Sequence, residues 1–149
     1  MVDRRQVRAT ANIAQIRQVQ QLAAQMDVER LAKQAQRLSE RREVRLVAQH
    51  EQERGWNTAL ENKVFDPQLV AAWSAALQQG QEDLGKLDDE IAHATQARAL
   101  AAQNWHASLA RLDVAKNLAT KTLRRTNRHD EEARLGALAD QTAQRRVIA

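Results

Sequence analysis

Cysteine is absent from this 149-residue chain, so it has no disulfide framework, no thiolate metal site and no thiol nucleophile. That usage fits a reducing compartment. Proline occurs once and glycine four times, which leaves almost no turn punctuation. β-Sandwiches, barrels and α/β alternation all turn about every ten residues, and are excluded on that ground. Aromatic residues make up 3% of the chain, with no tyrosine and one phenylalanine, and 28 of the residues in its 43% apolar fraction are alanine. Side chains able to fill a thick core are therefore scarce, and one thin apolar seam is what the chain can supply. Long apolar runs are missing too. The longest, Leu69 to Leu77, is nine residues with Ser74 inside it, too short to span a bilayer. The opening Met-Val-Asp-Arg-Arg-Gln lacks the apolar stretch of a signal peptide. The expectation is a soluble, cytoplasmic chain with no direct membrane insertion.

What is abundant is alanine, glutamine, arginine, leucine and glutamate, all strong helix formers. The one strong break lies between about residues 55 and 67, where Gly55, Asn57, Asn62 and Pro67 gather. Asp66-Pro67 is a good helix start, because the carboxylate can accept from the first free N–H groups and proline at the first helical position forfeits no bond. The pattern therefore predicts helix one over about 4–60, a loop over about 61–66 and helix two over about 67–144, within a single 1–149 domain.

In helix two a heptad runs through Val70, Trp73, Leu77, Gly80, Leu84, Leu87, Ile91, Ala94, Arg98, Ala101, Trp105, Ser108, Leu112, Ala115, Ala119 and Thr122. Twelve of these sixteen are apolar, against about seven expected from composition, which marks a left-handed coiled-coil seam. Helix one offers Ile13, Ile16 and Ala23, then Val28, Leu31, Ala35 and Leu38. Its phase drifts by one position, and Arg42 and Arg45 interrupt it. The fold class expected is all-α, a long antiparallel two-helix coiled-coil hairpin. In it, facing residue numbers sum to roughly 128, which sets Trp73 near Gly55, Trp105 near Ala23, Leu84 near Val44 and Ile16 near Leu112. About 15 to 20 C-terminal residues then extend past the pairing, from near Thr126-Asn127.

Charge is segregated. Residues 1–54 hold eleven Lys and Arg against seven Asp and Glu, residues 55–110 three against seven, and residues 111–149 nine against five. A hairpin brings both basic segments to one end, which points to two unlike partners.

Catalysis needs converging groups, and the sequence has no glycine-rich phosphate loop and no nucleophile elbow. No enzyme activity and no cofactor are expected. Glu90 and His93 have the Glu-x-x-His spacing of di-iron bundles, but no second copy exists and they read as solvated surface. The arginine pairs could contact phosphates, yet no base-stacking aromatic lies among them and acidic residues flank them, so nucleic acid is not the partner favoured. Trp56, Phe65 and Trp73 cluster at the loop end, either capping the hairpin or forming an apolar docking patch.

The Trp-bearing second helix in Leu69-Val70-Ala71-Ala72-Trp73-Ser74-Ala75-Ala76-Leu77, the later Asn104-Trp105 and the tail Asp140-Gln141-Thr142-Ala143-Gln144-Arg145-Arg146 resemble the FliJ and YscO-like stalk proteins of flagellar and type III secretion export machines. These are small, basic, cysteine-poor two-helix coiled coils. The resemblance implies that the terminal end of the hairpin binds and stimulates the hexameric export ATPase. It also implies that early helix two binds the export-gate membrane protein, that export chaperones are handled, and that the protein sits peripherally at the inner-membrane export apparatus. Carried onto this chain, the gate-binding residues are Trp73, Leu77, Gly80 and Leu84. The same four lie on the heptad seam, so either they serve both roles at a splayed tip or the docking residues sit one position away. The ring-facing residues are Arg4, Arg5, Arg8, Arg124, Arg125, Arg128, Arg145 and Arg146, acting collectively through steering toward an acidic lining. Two other readings stay open: a generic coiled-coil scaffold or chaperone, and a basic nucleic-acid-associated protein.

Overall fold

The structure, a computed structural model, describes residues 4–148. Among these residues the chain is two α-helices and no strand: α1, Arg4–Glu61, and α2, Pro67–Ile148. It is the all-α helical hairpin that the scarcity of turn residues and the long heptad require. α2 starts at Pro67 because Asp66 caps it. The Asp66 Oδ1 accepts from the Gln68 N–H at 3.0 Å and the Leu69 N–H at 3.4 Å, and the Asp66 carbonyl accepts from the Val70 N–H at 3.1 Å. Residues 61–69 are all exposed, and no described residue has a positive φ, so the connection turns on ordinary backbone. At the poor helix formers Thr126-Asn127 α2 continues unbroken, with the Thr126 hydroxyl donating to the Thr122 carbonyl at 2.9 Å.

The chain divides into two compact units, one from Met26 to Ala102 and one made of the residues up to Gln25 and those from Gln103 onward. In the Met26–Ala102 unit the helices run antiparallel. Gly55 faces Trp73, Arg45 faces Asp83 and Arg42 faces Asp88, so facing numbers add to about 128 as the hairpin requires. Leu38, Ala59, Ala94 and Ala101 are buried there; alanine at these seam positions lets two backbones approach closely.

The heptad of α2 holds with one change. Fifteen of its sixteen positions are shielded; Arg98 is exposed and Ala97 turns inward instead, which keeps a guanidinium in water. In α1 the expected run Val28, Leu31, Ala35 and Leu38 lies in the seam, and its heptad continues where a drift and an interruption were expected. The shielded positions run Val28, Leu31, Ala35, Leu38, Arg42, Arg45, Gln49, Gln52, Trp56 and Ala59, one unbroken heptad. Arg42 and Arg45 do not interrupt it; they belong to it. Leu84 is correspondingly half-buried while Val44, its expected neighbour, is 71% exposed.

In the unit of the chain ends, Leu112 and Ala115 are buried together with Gln21 and Thr126. Here α1 shields Val7, Thr10, Ala14, Arg17, Gln21 and Ala24, while Ile13, Ile16 and Ala23 are exposed. The contacts of Ile16 with Leu112 and of Ala23 with Trp105 are therefore not seam contacts. Hydrophobicity alone selects Ile13 and Ile16, but a single continuous heptad from Val7 to Ala59 places them outside the seam. Residues 127–148 are exposed along their whole length.

Candidate functional site

Trp73, Leu77, Gly80 and Leu84 lie together on the face of α2 turned toward α1. Trp73, Leu77 and Leu84 are half-buried and Gly80 is buried. The Trp73 indole lies across Gly55, so that a Cβ there would fall 2.6 Å from two of its ring carbons. The Leu77 carbonyl accepts from Gln49 Nε2 at 3.3 Å. At Gly80 the missing side chain makes room for the ends of Gln49 and Arg45. These four residues thus form the α2 half of the hairpin's own seam, with Gly55, Gln49 and Arg45 as the α1 half.

The stretch of seam between residues 42 and 52 is polar. Arg42 Nε donates to Asp88 Oδ1 at 2.7 Å, and Arg45 Nη2 lies 3.4 Å from Asp83 Oδ2. These pairs are partly solvated, and each contributes at most about 1 kcal/mol. Arg45 Nε, Gln49 Oε1 and Gln52 Oε1 are shielded and meet no hydrogen-bond partner among the described residues. Shielded polar atoms without partners reduce what this stretch contributes to the seam. At the connection Val64 and Phe65 are exposed, while Trp56 and Trp73 are half-buried. The loop-end aromatics therefore split, with the two tryptophans in the seam and Phe65 in water.

Arg4, Arg5, Arg8, Arg124, Arg125, Arg128, Arg145 and Arg146 are all exposed and all belong to the unit of the chain ends. Antiparallel order sets residues 4–8 opposite about 120–124, whereas Arg128, Arg145 and Arg146 lie on the bare stretch of α2. By sequence this unit carries thirteen Lys and Arg against six Asp and Glu, a net +7, and the other ten against thirteen, a net −3. The unit of the chain ends also holds a shallow groove of about 330 Å³ lined by Ile13, Arg17, Ala110, Arg111, Val114 and Leu118. Trp105 packs at a tilt on His106, with ring centres 5.4 Å apart.

Glu90 and His93 are exposed. Among the described residues no three acidic or histidine side chains converge as a metal site would need, and no helix is long and apolar enough to cross a membrane. One surface escaped the sequence reading. A groove of about 960 Å³ on the Met26–Ala102 unit is lined by Arg37, Arg41, Val44 and Arg45 of α1 and by Asp83, Leu87 and Glu90 of α2. The signal for it was a second stripe on α1 beside the seam, hidden because most of its residues are polar. Comparison with known protein families, curated proteins and solved structures finds no match to this chain.

Proposed function

We propose that this chain is a non-enzymatic coiled-coil stalk that binds and stimulates the hexameric ATPase of a type III secretion or flagellar export system. In this reading it sits peripherally at the inner-membrane export apparatus and links the ATPase to the export gate and to export chaperones. The observation that carries the reading is the gathering of all eight ring-facing arginines, exposed, on a unit of net charge +7. Long-range attraction from such a unit steers it toward an acidic collar and falls off with salt. The resemblance to the FliJ and YscO-like stalk proteins supplies the identity of that collar.

Gate binding through Trp73, Leu77, Gly80 and Leu84 requires the two helices to part locally, since these residues pack on α1. The polar seam at Arg42, Arg45 and Gln49 lowers the cost of that opening. The test is ATPase turnover of the hexamer with the wild-type chain and with R124E/R125E/R128E. Loss of stimulation at low salt, with helicity unchanged by circular dichroism, is the expected result. Unaltered stimulation at low salt overturns the reading.

A further inference from the structure

We propose that the groove on the Met26–Ala102 unit is a docking site for an acidic amphipathic helix of another protein. Met26, Arg30, Gln34, Arg37, Arg41 and Val44 recur every three or four residues, so they share one face of α1. That face lies beside the seam, where a third helix would lie against a coiled-coil pair. It is about 27 Å long, five helical turns. No acidic residue interrupts it; Glu29 and Glu40 sit one position aside.

Two features of this stripe ask for a partner. Val44, 71% exposed, lines the groove with Leu87, and Met26, 68% exposed, lies at the far end of the row; they offer apolar area that a helix would cover. Arg37 and Arg41 make no ion pair among the described residues, and Arg30 has only a loose contact to Asp27 at 3.7 Å, both side chains being largely exposed. This row stands out because the unit around it is net −3. Of the acidic residues that line the groove, Asp83 is engaged by Arg45, while Glu40 and Glu90 make no ion pair among the described residues.

A helix with an apolar stripe and glutamates along one flank satisfies both features, since each glutamate meets an arginine at matching helical spacing. The site lies outside the arginine set that faces the ATPase, and its occupancy does not depend on the stalk reading.

The probe is a synthetic 21-residue helical peptide with leucine at the heptad core positions and glutamate beside them, compared with its lysine counterpart. Fluorescence anisotropy on the full chain reads binding at low and physiological salt. The glutamate peptide is expected to bind and the lysine peptide not. R37E/R41E should weaken binding about tenfold or more, V44S should weaken it too, and R124E/R125E, the same charge change on the other unit, should leave it unaltered. If R37E/R41E loses helicity, R37Q/R41Q takes its place. Equal loss with R124E/R125E would mean general attraction to cationic surface, and no binding by the glutamate peptide would mean no site; either overturns the proposal. Sedimentation of the chain alone assigns the groove to a second copy, and likewise overturns the proposal, if it shows a dimer that R37E/R41E dissolves.

Discussion

Gly55 and Gly85 are both helical glycines, and their surroundings give the same substitution opposite signs. Nothing approaches within 4 Å of a Cβ built at Gly85, whereas at Gly55 the rigid Trp73 ring is 2.6 Å away. Gly85→Ala should therefore stabilise by roughly 0.5–1 kcal/mol through helix propensity alone. Gly55→Ala gains the same propensity but must push the indole aside at a cost of about 1–3 kcal/mol. A net loss of about 1 kcal/mol is expected, with a red-shifted tryptophan emission. Urea titrations of both variants check the pair; stabilisation by Gly55→Ala would mean that Trp73 does not lie across α1 as described. At Gly80 the obstructing atoms are the ends of Gln49 and Arg45, flexible groups that can swing away.

α2 owes its first turn to one side chain. Asp66 Oδ1 accepts from two of the N–H groups that the helix leaves unpaired, so Asp66→Ala should cost about 1 kcal/mol. Thermal unfolding of that variant measures it, and an unchanged midpoint would remove the cap from the account. The cap, the start at Pro67 and fifteen positions of the α2 heptad were readable from residue types, because apolar periodicity and capping are local signals. In α1 only Val28, Leu31, Ala35 and Leu38 were readable in that way. Its seam passes through Arg17, Gln21, Arg42, Arg45, Gln49 and Gln52, polar residues that a hydrophobic pattern rejects, while Ile13 and Ile16 imitate a seam from outside it. The partner helix brings Asp83, Asp88, Gly80 and the Leu77 carbonyl opposite Arg42, Arg45 and Gln49, which makes those three polar positions tolerable inside. The candidate sites follow the same rule: the arginines were readable as charge, whereas the groove beside the seam depends on where the seam runs.

Across the whole molecule, packing protection ends with Thr126. The stretch 127–148 stays helical with every residue exposed, and a helix of that length without a packed face is marginal in water. Its amides should exchange at least about tenfold faster than those of the seam over residues 101–126. Hydrogen-exchange mass spectrometry tests this, and equal protection would show that something covers the segment. A bound export ATPase should raise its protection, as expected for the proposed stalk. The sequence by itself determined that the chain is two helices, where the second begins, which face of it is apolar and at what register the first must meet it. Spacing and turn chemistry are written residue by residue, and these features depend on nothing else. Tertiary structure alone decided that polar residues of α1 such as Arg42, Arg45 and Gln49 join its seam while Ile13 and Ile16 do not. Burial there is set by what α2 places opposite each residue, a long-range pairing in which Arg42 and Arg45 pack inward beside Asp88 and Asp83 while Ile16 remains exposed.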